Sequence, residues 1–334
     1  MVCWAAISLF EGPLLRLFGA DDALMLLAKE YIRPIKYVIP VYPFSQFLAA
    51  FLRNDNDPGR ATFAVIFGGV FNIFGDIFFT FDFGLGLGIF GAGLATALGC
   101  TISIFIMLTH FASVRNTLKL NRIFGHIHKI HLVGINGFST FISDMAMGII
   151  AMLFNRQIMR YYGSDALAVF GVIVQVSSVV QCSSYGVGQA IQPIVSANFG
   201  AGRFERTRET RTYALWTVAV FGLFWMMTIL LMPNIYVRIF MSPTESVLQI
   251  APGIMRIYGI AYLLLPLNIL ASYYFPSIGK PAIALIVSIA RGIVICGILV
   301  FLLPAIFGAD AIWWVMPVTE FAVAAYVLNS MMKQ

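Results

Sequence analysis

Asn72 and Asp76 stand four residues apart in VFNIFGDIFFTF, residues 70–81, a stretch that is otherwise almost wholly apolar. Residues at i and i+4 share one face of a helix, so an amide and a carboxylate meet there. With a rise of about 1.5 Å per residue towards an end near residue 81, Asp76 lies about 7–8 Å and Asn72 about 13 Å from that end. Thr96, in the next apolar run, lies about 10 Å from the start of its own run near residue 89. The three side chains are therefore at one level. Amide oxygen, hydroxyl and carboxylate are hard oxygen groups that suit a sodium ion, and the carboxylate alone can carry a proton. The same spacing also fits a carboxylate that only accepts hydrogen bonds from its neighbours in a packed bundle.

Three further charged residues interrupt apolar runs: Asp144, Arg291 and Glu320. A charged side chain at bilayer depth costs roughly 2.5–3.5 kcal/mol on insertion scales, so it usually faces a cavity or a partner. Asp144, ten residues after Gly134, falls near the middle of its run. Arg291 and Glu320 lie about 15 Å and about 16 Å from the same side of theirs. They are expected to form a buried ion pair, which neutralises two costly charges, in preference to a substrate-binding role for Glu320. His110, His126, His128 and His131 all fall at or near one polar stretch, and no metal-ligand spacing appears. An enzyme would need a nucleophile and base at membrane depth, so none is expected, and no resident metal or cofactor.

These residues need a membrane to matter, and composition supplies it. The 334 residues are 60% hydrophobic and 11% charged, with a mean hydropathy of +0.88, whereas about a quarter of a soluble domain is charged. Runs of about 20 apolar residues, enough to cross a hydrocarbon core, recur at about 30–52, 61–81, 89–111, 132–154, 166–190, 212–232, 250–275, 281–304 and 311–331. Residues 1–17, broken at Glu11-Gly12-Pro13, are a poorer tenth and read as the stump of a helix. The expected fold is an all-α integral membrane protein of about ten transmembrane helices. Pro34, Pro40, Pro43 and Pro266 each remove a helical hydrogen bond and permit a kink.

Basic residues concentrate in cytoplasmic loops. Placing Met1 inside puts twelve of the 21 Lys and Arg on that side, including the clusters at 115–129 and 203–211. The net charge of +6 is then an orientation signal, with both termini cytoplasmic, and no nucleic-acid partner is implied. The four cysteines sit in apolar runs and imply no disulfide framework.

The chain repeats itself. Arg33 and Arg256, Pro43 and Pro266, and Pro58 and Pro281 are each 223 residues apart, inside runs that align without a gap. The copies are six crossings apart and so point the same way, the parallel type of repeat from which transporters build two lobes. SVRNTLKLNRIFGHIHKIH, 113–131, is the natural linker. The expected domains are an N-lobe at 1–111, a basic cytoplasmic linker at 112–131 and a C-lobe at 132–334, with four spans and six.

The run FLRNDNDPGRATFAVIFGGVFNIFGDIFFTFDFGLGLGIFGAGLATALG at 51–99 resembles the N-lobe signature of multidrug and toxic compound extrusion (MATE) transporters. GQAIQPIVSANFGAGRFERTR at 188–208, with Gln192, Pro193, Asn198, Gly200 and Gly202, and YYFPSIGKPAIALIVSIAR at 273–291 resemble motifs of its second half. The resemblance implies a MATE-type fold lacking the family's first two spans, hence an N-terminally truncated chain. It implies a monomeric plasma-membrane exporter that exchanges cationic or amphipathic drugs for protons or sodium ions, with lipid as its surroundings. It assigns cation coupling to Asn72, Asp76 and Thr96, any sodium being held at the Asp76 cluster. Asp144 resembles an acidic residue of the sodium-coupled bacterial branch and so is a cavity or coupling candidate. A lipid-linked-sugar flippase of the same superfamily and an inactive transporter fragment are the alternatives.

Overall fold

The apolar runs fold as helices because a backbone in hydrocarbon must satisfy its own hydrogen bonds. The structure, a computed structural model, describes residues 2–17, 22–119 and 127–333, and every regular element among them is helical. Over 127–149 the backbone is described, but most side chains, Asp144 among them, lie outside the described residues. The chain divides into two compact units, Met1–Arg122 and Ile123–Gln334, and the boundary falls inside the expected linker.

The first unit contains α1 (Val2–Leu9), α2 (Glu11–Leu17), α3 (Asp22–Val38), α4 (Val41–Asn54), α5 (Pro58–Thr80) and α6 (Gly88–Leu108), the last extended by a 3-10 turn at Thr109–Ala112. Lys36 of α3 pairs with Glu11 of α2, and Trp4 donates its indole N–H to the Lys36 carbonyl at 2.9 Å. The second unit contains α7 (Ile127–Tyr161), α8 (Ser164–Gly200), α9 (Phe204–Leu231), α10 (Pro233–Phe240), α11 (Glu245–Gly259), α12 (Leu265–Ser277), α13 (Pro281–Ile289), α14 (Cys296–Phe307) and α15 (Val315–Met332).

Among the described residues seven helical stretches are long and apolar enough to cross a bilayer, and α3 with α4 makes an eighth if the pair is one span bent by 47°. The expected span at 132–154 falls in the 35-residue α7. The expected tenth, at 1–17, is instead two helices of 8 and 7 residues, each too short to cross. Helix α5 turns Ile66, Ile73, Phe74 and Phe78 outward, each more than half exposed. Such a face is stable against lipid and would aggregate in water.

The repeat is written into the backbone. The bend after Val38 corresponds, 223 residues on, to the 3-10 turn Ile260–Leu263 between α11 and α12. Pro58 and Pro281 occupy the first turns of α5 and α13, where the missing N–H is harmless. Just before them Asn56 and Gly279 both adopt positive φ, 59° and 73°, so one left-handed turn serves both copies. Asn tolerates that region where most L-residues do not. Asn56→Ala should therefore cost roughly 1 kcal/mol of stability and Asn56→Gly close to none, as thermal denaturation in detergent will report. An equal loss in both would mean that the Asn56 side chain, and not its backbone, carries the turn.

Among the described residues two apolar clusters hold the second unit. One stacks Phe154 on Phe170 at 5.1 Å and turns the edge of Tyr258 towards both. The other gathers Leu270, Phe275, Val287 and Val327. The first unit has a smaller one around Leu48, Leu52, Ala64 and Met107.

Candidate functional site

Helices α5 and α6 approach closely because glycines face each other. A Cβ on Gly68 would fall 2.5 Å from the Gly99 carbonyl oxygen, and one on Gly99 would fall 2.6 Å from the Gly68 carbonyl oxygen. Ser103 crosses the same seam, donating to the Ala64 carbonyl at 2.9 Å. Small residues allow such contact between membrane helices, and here they bring Asn72 to Thr96.

Asn72 Nδ2 lies 3.2 Å from Thr96 Oγ1 and 3.4 Å from Asp76 Oδ1. Thr96 donates its own hydroxyl back to the Ala92 carbonyl at 3.2 Å, leaving its oxygen to accept from Asn72. The three residues named from spacing thus form one chain of hydrogen bonds, with the amide N–H2 group at its centre. All three are partly buried. Beside them a cavity of about 480 Å³ opens within the first unit, lined by Tyr42, Gln46, Asn72, Thr96, Cys100 and Ser103 among others. Asp76 stands one turn beyond Asn72, outside that lining. The bend between α3 and α4 borders the same cavity through Ile39 and Tyr42.

In the second unit, Arg291 Nε lies 2.7 Å from Glu320 Oε1, and Asn268 Nδ2 lies 2.6 Å from Glu320 Oε2. Glu320 is fully buried. The two charges named from their depths meet, and Asn268 joins them. The motif residues Gln192, Pro193, Asn198, Gly200 and Gly202 lie along the last turns of α8 and just beyond. Asn198 donates to the Ile194 carbonyl at 2.9 Å, and its own carbonyl accepts the Arg203 N–H at 2.8 Å. Gly202 takes φ +71°, which a glycine allows at little cost as the chain leaves α8 for α9. Gln192 is exposed. Asp144 lies on α7, with its side chain outside the described residues.

One cluster escaped the sequence reading. His110 is fully buried, with Nδ1 3.0 Å from Asp57 Oδ2 and Nε2 2.7 Å from Asp55 Oδ2. Both ring nitrogens face carboxylates, an arrangement that only the doubly protonated imidazolium satisfies with a donor at each end. Thr117 donates its hydroxyl to Asp55 Oδ1 and its amide to Oδ2, the latter at 2.9 Å. Arg60 Nε lies 3.0 Å from Asp57. The knot ties the α4–α5 loop to the end of α6 and to the segment that follows. The signal available was the pair of acids in RNDNDPGR, whose partner stands more than fifty residues away.

The bonds from Thr117 and His110 hold the Asp55 carboxyl down to about 2, and the bond from His110, with help from Arg60, holds Asp57 below the usual range. A carboxyl whose folded value is depressed adds stability above its unfolded value, about 3.9, and loses it as the pH falls towards the folded one. Thermal stability in detergent should therefore drop as the pH is lowered from about 4 to about 2. Asp55→Asn should shrink that drop; a drop of unchanged size would place its origin in other carboxylates.

A family model described as MatE matches residues 1–78 and 140–303, which is well over half of the chain. The chain belongs to the MatE family. Among curated proteins, this MatE chain is 23% identical over 271 residues to "Probable multidrug resistance protein YoeA" of Bacillus subtilis (strain 168), covering 77% of the chain and 57% of that protein. It is 25% identical over 240 residues to "Multidrug export protein MepA" of Staphylococcus haemolyticus (strain JCSC1435), covering 71% and 52%. The chain thus spans little more than half the length of these relatives. Among solved structures, an outward-facing multidrug resistance MATE family transporter of the MOP superfamily superposes with a TM-score of 0.88 at 21% identity, over 99% of this chain and 76% of that one. The MATE multidrug transporter DinF-BH superposes with a TM-score of 0.82 at 27% identity, over 100% and 74%. The fold of this chain is therefore that of MATE transporters.

Proposed function

We propose that this MatE chain acts in secondary active multidrug efflux, exchanging cationic or amphipathic drugs for protons across the plasma membrane. The family and the names of its relatives support the export reading. The choice of proton rests on one observation: Asn72 turns its N–H2 group, not its carbonyl oxygen, towards both Thr96 and Asp76. A sodium ion among the three would meet amide hydrogens unless that side chain rotated, whereas a carboxyl that gains and loses a proton fits the network as it stands. The roughly 480 Å³ cavity beside Asn72 is large enough for a drug-sized molecule and has neither Lys nor Arg among its lining residues. That favours drugs over the phosphate-linked sugars of a flippase. The substrates enter from water or lipid, the chain works as a monomer with its C-terminus cytoplasmic, and neither nucleic acid nor a resident cofactor takes part.

Proteoliposomes holding the chain test this. A pH gradient imposed across the vesicle wall should drive a cationic dye such as ethidium in the opposite direction to the protons, and a sodium gradient at constant pH should not. Movement driven equally by sodium would overturn the proton assignment, and no movement under either gradient would overturn the exchange reading.

A further inference from the structure

The second unit holds a pocket of its own, of about 100 Å³, lined by Phe170, Tyr262, Leu265, Asn268, Arg291 and Met316 among others. Two irregular stretches of backbone wall it. The 3-10 turn Ile260–Leu263 carries Tyr262, and a π-helical stretch, Ala290–Ile295, carries Arg291 and Gly292. Widened helical turns recur at functional sites, and irregular backbone at membrane depth is tolerated where it is buried in protein or lines a cavity.

One polar atom in this wall is left over. Asn268 is 1% exposed and spends its N–H2 group on the Glu320 carboxylate and, at 3.0 Å, on the Glu320 carbonyl. Its Oδ1 has no hydrogen-bond partner among the described residues. A buried carbonyl left in this way carries a desolvation penalty, so the pocket favours an occupant that donates a hydrogen bond to it.

Charge and size decide which donor. Arg291 and Glu320 neutralise each other across 2.7 Å, so an added cation or anion finds no counter-charge and still loses its hydration. Ile150, Phe170, Val174, Leu265 and Met316 supply an apolar wall. An engineered apolar cavity of roughly 150 Å³ takes up benzene; this pocket is smaller, but Val174 and Ser178 on its rim are exposed, so one ring can enter with its far edge outside. We propose that the pocket between the Ile260–Leu263 turn and the π-helical stretch is a second binding site, for an uncharged aromatic ring whose hydroxyl or N–H donates to Asn268 Oδ1. The site does not depend on the exchange reading above, since binding alone reveals it.

Fluorine NMR on the full chain in nanodiscs tests the proposal with para-fluorophenol, para-fluorotoluene and para-fluorobenzoate. The phenol should bind saturably, and the toluene and benzoate roughly tenfold more weakly, as the loss of one hydrogen bond dictates. Asn268→Leu should weaken the phenol by the same roughly tenfold, to the level of the toluene. Because that change also strips a donor from Glu320, Val174→Phe provides the second variant: it fills the pocket from a position 38% exposed and leaves the polar wall intact. Loss of saturation in Val174→Phe supports the site even if Asn268→Leu does not fold. Equal binding of phenol and toluene, phenol binding unchanged by Val174→Phe, or no saturation of the unmodified chain would each overturn it.

Discussion

Replacing Arg291 with Met should lower the stability of the protein in detergent by about 3–5 kcal/mol, the range measured when one member of a buried ion pair is removed. The loss comes chiefly from the partner left behind. Glu320 is fully buried in α15, and its carboxylate accepts from Arg291 on one oxygen and from Asn268 on the other. Without the guanidinium, the carboxylate keeps a single neutral donor in a low-dielectric surrounding and must take up a proton or draw in water. The double change Arg291→Met with Glu320→Leu removes both charges and should recover most of the loss, because well-packed apolar residues often replace a buried pair at no cost. The comparison is made by thermal denaturation of the three variants beside the parent chain. If the double variant is as unstable as Arg291→Met alone, the two residues act separately, and Glu320 becomes a candidate for substrate contact.

That pair was legible in the sequence because depth can be counted: a rise of about 1.5 Å per residue put both charges at one level before any contact was known. The same counting put Asn72, Asp76 and Thr96 together. What counting could not supply is the helix seam that lets them touch. Gly68 and Gly99 read as two of many glycines, and only the packed structure shows that each lies against the other's carbonyl. Asn268 was invisible for a related reason: a lone amide in an apolar run carries no charge to be balanced, and its role follows from meeting Glu320 fifty-two residues away. The His110 knot was missed because its acids lie in a polar loop, where carboxylates are usually solvated. The repeat fared better. Proline and left-handed positions are local backbone requirements, so Pro58 with Pro281, and Asn56 with Gly279, mark the same turn in both copies whatever the surrounding side chains do. Most of the apolar spans were legible from length alone, and the 47° bend that divides the expected span at 30–52 into two helices falls at Pro40, one of the prolines read as permitting a kink.

Replacing Asp76 with Asn should abolish dye exchange driven by a pH gradient while leaving the fold in place. The substitution keeps the size of the side chain and an oxygen at the Oδ1 position, so Asn72 can still donate there across the 3.4 Å it spans now. The loss of one weak, partly exposed hydrogen bond of this kind is worth no more than about 1 kcal/mol, and thermal stability should stay close to that of the parent chain. What the amide cannot do is release a proton at one face of the membrane and take one up at the other. Asp76→Glu retains that chemistry on a longer side chain and should keep part of the exchange. The two variants together separate a carrier of protons from a merely structural carboxylate: a structural one would be satisfied by Asn, which preserves the hydrogen bond, and disturbed by Glu, which must crowd the α5–α6 seam where Gly75 already lies close against Ala95. Undiminished exchange in Asp76→Asn, with Asp76→Glu the weaker of the two, would assign Asp76 to packing and send the search for the coupling group elsewhere in the chain.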